Sequence, residues 1–150
     1  MTNLPNVFLS YQDEDLQWRD KFSRVLQKPN VHFFETPIME RKAFQNKTEL
    51  QIKSYLKKLL DQTIVHLLLL GNNTFKGRIV TQEIDISLQD NRPMGIIRIP
   101  DTMSELPARL TAKKIPMAKW QTEEAQKLLK QLLNAHYRNS FYTSFDVFDD

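Results

Sequence analysis

A chain of 150 residues and 17.7 kDa has the size of one ordinary domain, because dividing it would leave two pieces each too small to bury a comfortable core. Its composition, 41% hydrophobic, 26% charged and 10% aromatic, is that of a folded globular protein. The lack of cysteine excludes disulfide frameworks, thiolate zinc sites and cysteine nucleophiles, and three histidines leave little for any other metal. The 21 basic and 18 acidic residues are interspersed for a net charge of +3, which gives no basic stripe for nucleic acid. The longest apolar run, Ile64 to Leu70, is interrupted by His66 and too short to span a bilayer. The N-terminal Met-Thr-Asn-Leu-Pro-Asn has neither a basic flank nor an apolar signal core, so a soluble cytoplasmic protein with no membrane or nucleic-acid partner is expected.

In chain order, Val7-Phe8-Leu9 after Pro5 predicts a short first strand. From Asp13 to Gln27 the side chains of Trp18, Phe22, Val25 and Leu26 form one helical stripe, with an acidic first turn that suits the helix dipole, and Pro29 ends the helix. Val31 to Phe34 reads as a second strand. Glu35 to Lys47 reads as a loop of the length at which loops are functional or mobile, with a gating role as one reading. Thr48 caps a helix to Leu60 that carries Ile52, Tyr55, Leu56, Leu59 and Leu60 on one side. Thr63 to Leu70 has no polar alternation, as a central strand covered by helices on both faces requires.

Arg78 to Gln89 predicts a helix, Gly95 to Ile99 a strand stopped by Pro100, Ile115 to Trp120 a weaker strand, and Thr122 to Tyr137 a helix. The aromatic and acidic tail, 139–150, is expected to pack back on the sheet. Alternating strands and helices give an α/β fold with right-handed crossovers: a flavodoxin-like doubly wound parallel sheet of about five strands, a single domain with its core at about 6–137.

Ligands of such sheets bind beyond the carboxyl ends of the strands, at the switch point between the first and third strands. The turns there are Ser10-Tyr11-Gln12-Asp13 and Gly71-Asn72-Asn73-Thr74, small, polar and suited to a nucleotide. Neither GxGxxG nor a P-loop occurs. On the helix after the third strand, Ile79, Val80, Ile84, Ile86 and Leu88 make a broad apolar face, and Glu83 falls on it. That position fits either a carboxylate held at the rim or by loop amides, or a functional carboxylate at the switch-point pocket. His66 reads as a satisfied core histidine, His32 and His136 have no partner at metal spacing, and Ser10 reads as a hydrogen-bonder rather than a nucleophile.

Val7-Phe8-Leu9-Ser10-Tyr11 with Asp13 and Asp15, and Leu67 to Gly71 with Thr74 and Val80-Thr81-Gln82-Glu83-Ile84, resemble segments of TIR and TIR-like domains. The likeness runs from about Asn6 to about Pro100, and its closest flavour is the stand-alone bacterial TIR-like protein of the Thoeris anti-phage type. The resemblance implies a flavodoxin-like fold in which NAD+ is a substrate rather than a recycled cofactor. Its nicotinamide-ribose bond would be cleaved, and an ADP-ribose messenger made for a downstream effector. It assigns Glu83 as the catalytic glutamate without a metal, with Phe8 and Tyr11 offering ring surface to the substrate beside the switch-point residues Ser10, Gly71 and Asn72. Since constitutive NAD+ consumption would harm the cell, activity is expected to depend on self-association or a trigger, with the 35–47 loop as gate. The chain departs from the family pattern at Ile79, where many members carry an aromatic residue, and at Lys76-Gly77-Arg78, where a serine-tryptophan approach is usual. Glu35 is the candidate for the usual acid after the second strand. Two other readings are a nucleoside deoxyribosyltransferase-like enzyme and a non-catalytic interaction module.

Overall fold

The computed structural model describes residues 4–27 and 29–138 of the chain. Five strands, β1 (Asn6–Ser10), β2 (His32–Phe34), β3 (Val65–Leu70), β4 (Met94–Arg98) and β5 (Met117–Lys119), form one sheet in the order β2-β1-β3-β4-β5. Every neighbouring pair is parallel, with Ser10 opposite Leu68 and Leu70 opposite Arg98. The six α-helices among the described residues are α1 (Leu16–Val25), α2 (Ile38–Ala43), α3 (Glu49–Leu60), α4 (Arg78–Gln89), α5 (Ala108–Ala112) and α6 (Thr122–Arg138). The five-stranded flavodoxin-like sheet is therefore as expected.

β3 is central and buried at all six positions, and its unbroken apolar run conceals a strict alternation. Val65, Leu67 and Leu69 join Phe22 of α1 and Leu26 just after it, and Leu128, Leu129, Leu132 and Leu133 of α6, on one face. Leu68 and Leu70 point to the other face, against Val80 and Ile84 of α4 and Leu110 of α5. Phe8 joins Ile52, Leu56 and Leu60 of α3 and Ile86 of α4 on that same side. Since both faces bury apolar side chains, the period of two vanishes from the hydropathy although it persists in the packing. Gly95 permits the close approach of α6: a Cβ there would stand 2.9 Å from Leu132 Cδ1 and 3.0 Å from a methyl of Leu128.

Three expectations need correction. The first helix is α-helical only over Leu16–Val25, preceded by a 3-10 turn at Asp13–Asp15, and Gln27 takes a left-handed φ of 56°. The strand before Pro100 begins at Met94. The segment 35–47 is no simple loop, for it holds α2 and a 3-10 turn, Phe44–Asn46. Pro37 presets the backbone at the N-terminus of α2, and Phe44 anchors its far end, buried with its ring 5.3 Å from that of Tyr55. The weak strand is real but short, as an edge strand should be. The expected tail lies outside the described residues.

Thr48 caps α3 as expected, and the cap is a full box: its hydroxyl accepts from Gln51 N–H at 3.1 Å while Gln51 Oε1 accepts from Thr48 N–H at 2.9 Å. Thr48→Ala should cost about 1 kcal/mol, lowering the melting temperature by roughly 4 °C. Calorimetry of the variant would check it, and no change would mean the box contributes nothing.

Candidate active site

The carboxyl ends of β1 and β3 lie side by side, and α4 crosses beneath their turns. Glu83, on the buried face of α4, has no solvent exposure at all. Both carboxylate oxygens are solvated by the protein instead: Ser10 Oγ donates to Oε1 at 2.7 Å, and Thr36 Oγ1, from the segment after β2, donates to Oε2 at 2.5 Å. Burial drives the Glu83 pKa above the ordinary carboxylate range, against the opposing pull of the Arg41 charge and the two hydroxyls, and Glu35 adds to the rise.

Arg41 of α2 lies close enough for its charge to act on this group. Its side chain is 3% exposed, its Nε donates to the Thr36 carbonyl at 3.1 Å, and its Nη1 donates to the Tyr11 carbonyl at 2.8 Å and to Asp13 Oδ1 at 2.7 Å. The guanidinium also lies over the Tyr11 ring, 4.5 Å from its centroid. The Tyr11 hydroxyl donates to Glu35, which in turn is paired with Arg19. Burial first, and then Glu35, raise the Tyr11 pKa well above the usual phenol range. One short network thus ties β1, α1 and the segment after β2 across the mouth of the switch point.

Outside Arg41 is a cleft of about 260 Å³ lined by Gln12, Asp13, Arg41, Phe44, Gln45, Gly77, Arg78 and Ile79. Glu83 and Ser10 are not on its wall. Tyr11 belongs to its floor network but is itself fully buried. Phe8, expected to bind substrate, does not line the cleft: it is 0% exposed in the α3–α4 core, edge-on to His66 at 5.1 Å. Two residues before the end of β1, it is too deep to present a ring to the mouth.

Gly71 and Asn72 are likewise away from the cleft, bound to the segment after β4: Ser104 Oγ lies 3.0 Å from both their carbonyls, and Asn72 Oδ1 accepts from Met103 N–H at 3.1 Å. The small size of Gly71 serves Asp15, whose Oδ2 would be 2.2 Å from a Cβ at that position. Asp13 and Asp15 are not simple dipole partners, since the first pairs with Arg41 and the second is buried against Gly71. Gln12 of the switch-point turn and Arg78 of the departing stretch do line the cleft, whereas the sequence gives no site role to Thr36, Arg41 or Phe44. Only the Thr36-Pro37 step and the lone aromatic at Phe44 marked the segment as structured. Among the described residues no His, Asp or Glu side chains are grouped to hold a metal ion, and no helix is long and apolar enough to cross a membrane.

Because the folded state raises the Glu83 pKa, the unfolded chain loses that proton first, and stability falls as pH climbs through the ordinary carboxylate range. Glu83→Gln has no such loss. At neutral pH the variant should be as stable as the native protein or more so, and its advantage should shrink toward acid pH. Denaturant titrations across a pH series measure this, and an advantage that grew toward acid would contradict it.

Similarity to known proteins agrees with this fold. Residues 8–104 match the family described as Thoeris protein ThsB, TIR-like domain. No curated protein sequence matches the chain. Among solved structures, the TIR domain of the Toll-related receptor TRR-2 from the lower metazoan Hydra magnipapillata superposes with a TM-score of 0.52 at 18% identity, covering 90% of this chain and 94% of that one. At that identity the likeness concerns the fold alone. The family match, however, spans well over half of the chain and takes in both the Ser10 strand and the Glu83 helix, and the chain accordingly belongs to the TIR-like domain family of the Thoeris protein ThsB.

Proposed function

We propose that this protein cleaves the nicotinamide-ribose bond of NAD+ and forms an ADP-ribose-type signalling nucleotide in anti-phage defence, acting in the cytoplasm on a downstream effector. The observation that carries the reading is Glu83, a fully buried carboxylate with one hydroxyl donor on each oxygen at the switch point of a TIR-like sheet. When the bond breaks, its electron pair goes to the nicotinamide nitrogen and neutralises the leaving group, so no acid is needed. Positive charge then develops on the ribose. A fixed anion out of water is suited to balance it, and its unused lone pairs can accept ribose hydroxyls. Water then adds with loss of a proton, or a nucleophile elsewhere on the same ADP-ribose closes a ring.

Because Glu83 is fully buried, substrate reaches it only after a rearrangement, and α2, whose Arg41 lines the cleft, is a segment placed to move; this supports activity that waits for self-association or a trigger. The same enclosure favours a second reading, an interaction module in which Glu83 is merely a hub of core hydrogen bonds. Nicotinamide release from NAD+, with deoxynucleosides as parallel substrates, separates these two readings and the deoxyribosyltransferase alternative. Under activating conditions Glu83→Gln should lose a charge-stabilising contribution of roughly 3 kcal/mol, about a hundredfold or more in rate. Full activity in a well-folded variant would remove Glu83 from the reaction. Dilute monomeric protein should turn over NAD+ far more slowly than concentrated or triggered protein, and equal specific activity at all concentrations would reject the need for assembly.

A further inference from the structure

Beneath Glu83 a line of buried polar side chains continues between the sheet and α4 toward the far end of β3. His66 Nε2 is 2.6 Å from Ser10 Oγ, His66 Nδ1 is 2.6 Å from Ser87 Oγ, and Arg92 Nη1 donates to Ser87 Oγ at 3.0 Å. Ser10, His66, Glu83 and Ser87 are all 0% exposed, and the Arg92 side chain is 8% exposed.

With Glu83 ionised, donor counting gives this line a single direction. A carboxylate only accepts, so Ser10 commits its one hydroxyl proton to Glu83 and meets His66 as an acceptor. His66 therefore carries its proton on Nε2. Burial and the neighbouring Arg92 push the His66 pKa down to about 3, so the ring is neutral and Nδ1 is bare. Ser87 donates to that nitrogen, and its own oxygen accepts from Arg92, a group that only donates. The line begins at a guanidinium, ends at a carboxylate, and every intervening proton points toward Glu83. Protonating Glu83 on Oε1 would reverse the line, with Nδ1–H and the guanidinium both donating to the two lone pairs of the Ser87 oxygen, so the His66 tautomer reports the charge of Glu83.

We propose that His66, as the Nε2–H tautomer, is a positioning residue that acts through Ser10 to fix one oxygen of Glu83 and to hold that carboxylate ionised in the absence of water. The role in catalysis rests on the NAD+-cleavage reading above. The line itself does not. The charged groups around it are Arg41 and Glu35 toward Glu83, and Arg92 with Asp90 and Asp61 at the His66 end. The other neighbours of the ring are apolar, with Phe8 edge-on from β1 and Met94 opposite in β4.

Two variants divide the line. The His66→Gln amide reaches the Nε2 position and keeps a donor for Ser10, whereas His66→Asn reaches only the Nδ1 position and leaves Ser10 without one. Activity that needs ionised Glu83 falls on the acid side. His66→Asn should move that limb of the kcat/KM profile up by roughly one pH unit, with rates converging toward alkaline pH, while His66→Gln should keep the native limb. Equal, pH-independent losses in both variants, or no shift in His66→Asn, would overturn the proposal.

Two nuclear magnetic resonance measurements need no turnover. Long-range ¹H–¹⁵N spectra of the native protein should show His66 protonated on Nε2 alone from pH 5 to 9, and an Nδ1–H tautomer or titration near neutrality would overturn the line even if no variant folded. The Glu83 carboxyl ¹³C resonance should titrate at higher pH in His66→Asn than in the native protein, and identical titrations would also overturn it. Absence of NAD+ cleavage with a shifted ¹³C titration would sink only the proposed reaction.

Discussion

A carboxylate removed from water loses its hydration, and the loss exceeds what ordinary packing returns unless the protein supplies replacement donors. Glu83 meets that requirement with one hydroxyl on each oxygen, and those hydroxyls come from different parts of the chain, the end of β1 and the segment after β2. The arrangement holds only while β1, β2 and α4 keep their mutual register. The parallel pairing of Phe8 with Phe34 brings Thr36 to the same end of the sheet as Ser10, and the central position of β3 keeps α4 pressed against that end. Fold and site are thereby one constraint: losing the sheet order would strand the charge.

The closed position of α2 follows from the same economy of donors. Arg41 is nearly as buried as the group its charge acts on, yet three of its contacts are with oxygen atoms, two of them backbone carbonyls in the turns that frame the mouth. A guanidinium so held gives α2 a reason to stay closed, although that helix has only six residues and would not persist alone. The anchor is polar and local. Its partner Asp13 stands largely in water with a side chain 64% exposed, so the outer link of the anchor is weakened by screening far more than the inner carbonyl contacts.

Much of this was legible in the residues. The apolar run of β3, the stripe of α6 and the cap at Thr48 follow from periodicity and turn chemistry, since burial there leaves its pattern in hydropathy. Glu83 could be singled out because a charge on an apolar helical face has few explanations. Ser87, one turn further along α4, lies on that same buried face and is the companion signal that was passed over. Thr36 and Arg41 left no comparable mark. Their segment is too short to display a helical period, and a buried arginine held by two carbonyls, with its Nη2 left unpartnered, depends on the chain path, which no local pattern encodes. Phe8 was misplaced for a geometric reason: strand alternation gives the face of a residue correctly but not its depth along the strand.

The departures from the TIR-like pattern are not scattered through the site. Gly77, Arg78 and Ile79 line the cleft and Lys76 adjoins them in the chain, whereas Ser10, Thr36 and Glu83 are off its wall with no exposure. Residues at the wall set how a ligand is packed and oriented, and residues at the floor set the charge it meets. An isoleucine in place of an aromatic ring removes a flat stacking surface, and Arg78 adds a cation, with a side chain 53% exposed and paired to Glu49, at the entrance to a site whose proposed substrate carries a pyrophosphate. Under the proposed reading, these differences change the hold on the nicotinamide and on the rest of the dinucleotide while leaving the balancing charge in place.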